Sequence, residues 1–269
     1  MLMERVLSAA VGIIYLFFML YLGGWFFKIS VLIMAFILMH EFYNAFAKKG
    51  NKPIKWLGYL FIFLLFCSNF LNKGYDPVIL TAFITIIALI VPIFYQKMNI
   101  MDVIITIFAA FYPGMMVFFL ILLGFQARPY GMNLLICTFL VTWATDTFAY
   151  FLGKSFGKNK LCPSISPNKT IEGSLGGLVG SIIVGVIFGL IMNSYLGLEI
   201  ALYHFPIIGF LGGTLSQLGD LCASSIKRFC GVKDFGKLLP GHGGLLDRFD
   251  SLLFTMPAIY IYYLTFLIK

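Results

Sequence analysis

The chain has 269 residues, 61% of them hydrophobic and only 11% charged, with a formal net charge of +8. A mean hydropathy of +0.97 excludes a soluble globule, since soluble domains are about a quarter charged, and the ten-residue alternation of an outer-membrane barrel is absent. The positive charge does not argue for nucleic acid, because the basic residues sit in short loops between apolar stretches, where membrane topology and anionic lipid account for them.

A bilayer's hydrocarbon core demands about twenty apolar residues of a helix. In chain order about nine such spans are expected, at roughly 6–27, 29–46, 55–72, 77–96, 101–125, 130–152, 171–193, 198–220 and 250–268. The first, Val6 to Phe27, is too long for a signal-peptide core and has no small-residue cleavage site behind it. The second joins it tightly at Lys28 as a hairpin and reaches His40 and Glu41 early, so its end projects from the membrane. Of the 19 Lys and Arg, only Lys28, Lys73, Arg128 and Lys269 fall on the outer side of this topology. The positive-inside bias therefore sets the N-terminus in the cytoplasm and the C-terminus outside, and it supports an odd number of spans. The fold class is an all-α polytopic membrane protein. It reads as one membrane domain over 1–269, with N-terminal spans in 1–125 and the catalytic spans and cytoplasmic loops in 126–269.

Five cysteines (Cys67, Cys137, Cys162, Cys222 and Cys230) show no C-x-x-C or metal-ligand spacing and read as small buried hydrophobes. The acidic residues are more informative, because the chain has 11 Asp and Glu in all and Asp146, Asp220, Asp247 and Asp250 lie in or against apolar segments. A carboxylate at membrane depth costs a few kcal/mol unless it faces a cavity, a partner or a metal. If 247–251 is helical, Asp247 and Asp250 share a face at a helix N-terminus, where negative charge is tolerated. If 219–228 is helical, Asp220, Ser224 and Lys227 form one stripe. Each carboxylate alone reads equally as a cap or as an ion pair with Arg248 or Lys227. Four of them beside glycines and lysines point to a site, and hard oxygen ligands at an open site suit Mg²⁺.

Two cytoplasmic loops carry the rest, 153–177 and 218–251. The first places Lys154, Lys158, Lys160 and Lys169 among Gly, Ser, Asn and Pro. The second gathers Lys227, Arg228, Lys233, Lys237 and Arg248 around the aspartates. Gly-rich turns with Lys or Arg make phosphate cradles, although no G-x-x-x-x-G-K-[ST] is present. Lys48, Lys49, Lys52 and Lys55 read as topology and anionic-lipid contact. Gly241, Gly243 and Gly244 allow positive φ and close backbone approach. His242 is a candidate base, phosphate donor or metal ligand, against an equal case that it only shapes the turn.

The stretch SSIKRFCGVKDFGKLLPGHGGLLDRFDS, residues 224–251, resembles the signature of the phosphatidate cytidylyltransferase, or CDP-diacylglycerol synthase, family. In it stand Ser224/Ser225-Ile226-Lys227-Arg228, Lys233-Asp234, Pro240 through Gly244 and Asp247-Arg248-Phe249-Asp250. QLGDL, TDTFAYFLGKSFGKNKL and SPNKTIEG also look like this family, and the likeness covers much of the C-terminal half. Cys222 departs from the expected pattern. The resemblance implies attack of phosphatidic acid on the α-phosphate of CTP, with Mg²⁺ required and the number of ions open. It implies Asp220 and Asp247, then Asp250 and Asp146, as metal ligands. Asp220, Asp247, Lys227, Arg248 and His242 are the candidate catalytic residues. Lys227, Arg228, Lys237, Arg248, Gly243 and Gly244, with Ser166, Asn168 and Lys169 from the other loop, are the candidate substrate-binding residues. It further implies CTP, phosphatidic acid and membrane lipid as partners, no nucleic acid, and a bacterial inner-membrane location with the site toward the cytoplasm. A homodimer is compatible with the small-residue face in GSLGGLVGS, residues 173–181, which serves equally for packing inside one subunit.

Rival readings are a secondary transporter, a CDP-alcohol phosphotransferase, a CTP-using enzyme on a different lipid, and a scaffold. A transporter sets its charges at the midplane of inverted repeats, and neither feature is visible. The D-G-x-x-A-R pattern of the phosphotransferases is missing, and a scaffold leaves the charged residues unexplained.

Overall fold

The structure, a computed structural model, describes residues 2–70, 77–95, 97–196 and 200–268. Lys73 and Lys269, the ends of the third and fourth expected spans at 71–72 and 96, and the start of the eighth at 198–199 lie outside the described residues.

Among these residues the helices are α1 (Leu2–Leu22), α2 (Gly24–Lys48), α3 (Lys55–Phe70), α4 (Pro77–Phe94), α5 (Ile100–Ala109), α6 (Met116–Ile121), α7 (Gly131–Phe156), α8 (Ile171–Leu196), α9 (His204–Phe229) and α10 (Leu246–Tyr262). Wide π-helical turns join α5 to α6, extend α6 to Gln126 and extend α10 to Leu267. Six of these rods are long and apolar enough to cross a membrane: Gly24–Lys48, Pro77–Phe94, Ile100–Gln126, Gly131–Phe156, Ile171–Tyr195 and Leu246–Leu267. The protein is a polytopic α-helical membrane protein. One β-hairpin, β1 (Lys160–Cys162) paired antiparallel with β2 (Ser166–Thr170), stands where the sequence suggests only a loop.

The first two helices part at Gly23 and Gly24, both at positive φ, rather than at Lys28. Glycine adopts that backbone without a Cβ clash, so Lys28 lies inside α2, where its ammonium approaches the Trp25 and Phe70 rings.

Two compact units divide the chain, one of 1–118 with 229–248 and the other of 119–228 with 249–269. Unit 1 centres on buried Met39, Phe42, Tyr43, Phe61 and Phe66. The α2–α3 connection is held down by polar contacts: the Lys52 amide donates to Asp102 Oδ1, and the Ile54 amide to Thr106 Oγ1. Asp102 also completes a capping box with Asn99 at the start of α5, so one buried carboxylate satisfies several backbone donors at a helix N-terminus.

Unit 2 is built on close helix contact through glycine. A Cβ at Gly173 would lie 2.7 Å from the Ala149 carbonyl oxygen, and one at Gly177 would lie 2.8 Å from that of Thr145. The glycine face of α8 is therefore occupied by α7 within the subunit. Gly209 brings α9 against Ile182 of α8 in the same way, and Gly219 brings it against the Asp250 carbonyl of α10. With lipid as solvent, such backbone proximity and its dispersion contacts replace the hydrophobic drive available in water. Gly177→Val should lower the unfolding midpoint in detergent by several degrees, because overpacking against a backbone atom costs about 1–3 kcal/mol. Gly12→Ala, at a position with open space around it, should leave the midpoint unchanged.

Candidate active site

The residues singled out in the sequence fall in both units. In unit 1, the segment from Cys230 to Arg248 is a loop that folds back on itself. Leu239 bridges to Gly243, and the His242 amide donates to the Leu239 carbonyl. Gly241 and Gly243 take positive φ, as the glycine-rich stretch suggests. Phe235, 2% exposed, stacks on Phe42 of α2 and pins the loop to the helical core.

Asp247, in the first turn of α10, is buried, and its Oδ2 accepts from the amides of Phe235 and Gly244 at 2.9 and 3.0 Å. The carboxylate therefore closes the loop. The Gly244 amide already donates to Asp247, so its place in a phosphate cradle is taken. The value of Gly244 lies in close approach. A Cβ there would lie 2.5 Å from Glu41 Oε2 and 2.7 Å from the Gly236 amide nitrogen.

Glu41 is the residue that the sequence reasoning missed. It sits on α2 and is 5% exposed. Its Oε1 accepts from the Leu245 amide at 3.0 Å and its Oε2 from the Leu246 amide at 2.8 Å. Those amides begin α10 and have no partner inside the helix, so a carboxylate there satisfies them and meets the positive end of the helix dipole. The signal was present as an acid within an apolar stretch, the same signal that drew attention to the four aspartates.

His242 is half-buried, with Nδ1 2.8 Å from Ser8 Oγ, and Ser8 also donates to the Pro240 carbonyl. The imidazole thus helps fix the turn. Lys237 and Arg248 are exposed. Cys230 is buried, and burial pushes its thiol up while the Lys49 ammonium acts the other way. Burial favours the protonated, unreactive form; Cys137 and Cys230 are buried as the sequence suggests, whereas Cys67 and Cys162 are half-buried and Cys222 is exposed, against that reading.

In unit 2, α9 is helical through Phe229, so Asp220, Ser224 and Lys227 do share a stripe, and the Ser224 hydroxyl donates to Asp220 Oδ1. Asp220 Oδ2 pairs with Lys169 Nζ of β2 at 2.5 Å. The Arg228 Nε donates to the Ile165 carbonyl at 3.3 Å, which ties α9 to the hairpin. Glu172, in the first turn of α8, accepts from the Lys158 and Asn159 amides and orders the hairpin's approach. It is a second positioning residue that the sequence reasoning passed over. Ser166 is half-buried and Asn168 exposed on β2. Asp250 of α10 is 7% exposed and Lys227 is 9% exposed. Asp220, Lys227 and Asp146 of α7 all act electrostatically on Asp250. The close contact of α9 with α10 at Gly219 and Asp250 produces this grouping, because it removes the space a side chain would fill one residue before Asp220.

Among the described residues no group of three or more His, Cys, Asp or Glu forms a metal cage. The donors present are a few carboxylate oxygens beside lysines. That set suits Mg²⁺, which is commonly held through one or two carboxylates and completed by substrate phosphates.

The fold and the charged groups define a helical membrane protein with a polar, phosphate-compatible set at the ends of its last helices. The chain matches the family model described as "Cytidylyltransferase family" over residues 3–266. It is 36% identical over 260 residues to a phosphatidate cytidylyltransferase of Staphylococcus saprophyticus, covering 96% of this chain and 97% of that one. It is 44% identical over 137 residues, 51% of each chain, to a phosphatidate cytidylyltransferase of Staphylococcus aureus. The chain belongs to the cytidylyltransferase family.

Glu41→Gln removes the charge from a pair of hydrogen bonds, each charge-assisted bond being worth about 1.5–3 kcal/mol. Hydrogen-exchange mass spectrometry should show faster exchange in peptides covering 235–250 of this variant, with α7 and α8 peptides unchanged. Cytidylyltransferase activity should fall by about tenfold or more.

Proposed function

We propose that the protein is a phosphatidate cytidylyltransferase. It transfers CMP from CTP to phosphatidic acid and yields CDP-diacylglycerol and pyrophosphate, at the cytoplasmic face of a bacterial inner membrane. Nine spans and a cytoplasmic N-terminus complete the reading, supported by the distribution of Lys and Arg. The observation that carries it is the charged group of unit 2, half-exposed Asp220 paired with Lys169 beside buried Asp250 and Lys227, in a chain of this family.

A phosphate oxygen of phosphatidic acid attacks the α-phosphorus of CTP. The bond from that phosphorus to the bridging oxygen breaks, and pyrophosphate leaves. The lipid phosphate is itself the nucleophile, so no protein nucleophile is needed. Lys227 and Lys169 supply fixed positive charge where the pentavalent centre gathers negative charge, and the burial of Lys227 strengthens its part of that interaction relative to water. Asp220 holds Lys169 in place. Ser166 and Asn168 offer neutral hydrogen bonds from β2. Arg228, Arg248 and Lys237 are the exposed cations for the remaining phosphates. The Gly243–Gly244 turn and His242 present the loop in one conformation. Asp220 and Asp247, then Asp250 and Asp146, are the ligands proposed for Mg²⁺. Held there, Mg²⁺ would supply Lewis-acid charge to offset the negative charge that develops on the phosphates. A homodimer in this reading uses a face other than the α8 glycines, which α7 covers.

Purified protein in detergent with CTP, phosphatidic acid and Mg²⁺ should release pyrophosphate and CDP-lipid in equal amounts, and chelation should stop it. Asp220→Asn should lower turnover by about 100-fold or more, and Asp247→Asn should lower it as well. Absence of turnover in well-folded wild type with any phosphatidate would overturn the reading. Full turnover in Asp220→Asn would remove only the metal assignment.

A further inference from the structure

Unit 1 holds an open cavity of about 610 Å³ between α2, α3 and the Phe235–Leu238 stretch of the loop. That volume lies in the range of small-ligand sites. One side is apolar, with Phe36 and Ile37 of α2 and Leu238 of the loop, and the other carries His40, Tyr59 and Lys237. The His40 Nδ1 lies 3.2 Å from the Tyr59 hydroxyl, so the polar side is an organised pair and not a scatter of side chains. Glu41 also borders the cavity, with both oxygens accepting the amides that start α10.

We infer that this cavity takes the glycerophosphate end of the lipid substrate, with Lys237 on its phosphate. The inference rests on the phosphatidate reading and assigns Lys237 to the lipid and not to the nucleotide.

Charge and location both favour a lipid. A nucleoside triphosphate brings three phosphates to a wall that offers one lysine and a carboxylate, so most of its charge would go unmatched. A single phosphate monoester matches one lysine supported by a donor of the His40–Tyr59 pair. The apolar side belongs to α2, whose 25 residues are apolar enough to cross a membrane. Nearby on α2, Ile33 is 51% exposed, and Leu238 of the loop is 52% exposed beside Lys237. An exposed leucine next to a lysine is the amphipathic pairing of a membrane interface, with the stem in lipid and the charge toward the headgroups. Acyl chains can leave such a cavity along α2, whereas a soluble nucleotide has no use for that wall.

Two variants of the full-length enzyme test this, assayed in mixed micelles with lipid mole fraction and CTP varied separately. Lys237→Gln removes the charge on an exposed loop position. Ile37→Trp fills the apolar side. Each should raise the KM for phosphatidate by about tenfold, the scale of one charged hydrogen bond, with the KM for CTP unchanged. A photoactivatable phosphatidate should label α2 and 235–238 peptides of wild type and lose that labelling in Ile37→Trp. A raised KM for CTP with that for lipid unchanged, a fall in kcat alone, or labelling that survives Ile37→Trp would overturn the inference while leaving the phosphatidate reading intact. If wild type turns over no phosphatidate, the parent reading fails, and labelling of the cavity by the lipid probe still decides whether it binds lipid.

Discussion

One buried carboxylate governs unit 1. Glu41 stands on α2, and its two oxygens take the amides of Leu245 and Leu246, the donors that the start of α10 cannot satisfy by itself. An ionised group in an apolar segment is tolerated only with such partners. The packing around it follows from that requirement: Gly236 and Gly244 both lie against the Glu41 side chain, where a Cβ would collide. Asp247 repeats the device from the other side by taking the Phe235 and Gly244 amides. Two carboxylates and a ring of backbone donors thus hold a long loop in one conformation.

Unit 2 solves a different problem, that of bringing charges together inside apolar helices. Glycines let α8 lie against α7 and let α9 lie against α8 and α10, backbone to backbone. Asp220, Lys227 and Asp250 then share a small volume with Lys169 from the hairpin. Each charge is tolerable because an opposite charge is at hand, and the group as a whole has the hard oxygens and cations that phosphoryl chemistry requires. The hairpin owes its place to Glu172, which holds the Lys158 and Asn159 amides and the Asn159 side chain just before it, and to Arg228, which donates to the Ile165 carbonyl in its turn.

For a cytidylyltransferase these two solutions are complementary in kind. Unit 2 supplies charge, whereas unit 1 supplies a shaped loop and a cavity that is half apolar. The same glycines that make the helices pack closely in unit 2 are the ones a sequence reader would offer to a second subunit, and their partner turns out to be α7.

The sequence by itself determined the membrane class and most of the helical stretches, and it singled out four aspartates. Each of these follows from local properties: apolar run length, periodicity, and the rarity of acids in an apolar chain. It also determined the Asp220–Ser224–Lys227 stripe, because helical spacing alone fixes it. The tertiary structure decided what those properties cannot contain. The Lys169–Asp220 pair joins residues far apart in the chain, and Glu41 meets Leu245 and Leu246 across some two hundred positions. It also decided that α8's glycines face α7, that Gly244 serves close approach more than a phosphate, and that a hairpin stands between α7 and α8. Spacing within a segment sets which side chains share a face. Only the folded chain sets what that face meets, because the partner of a buried charge is chosen by packing and not by sequence proximity.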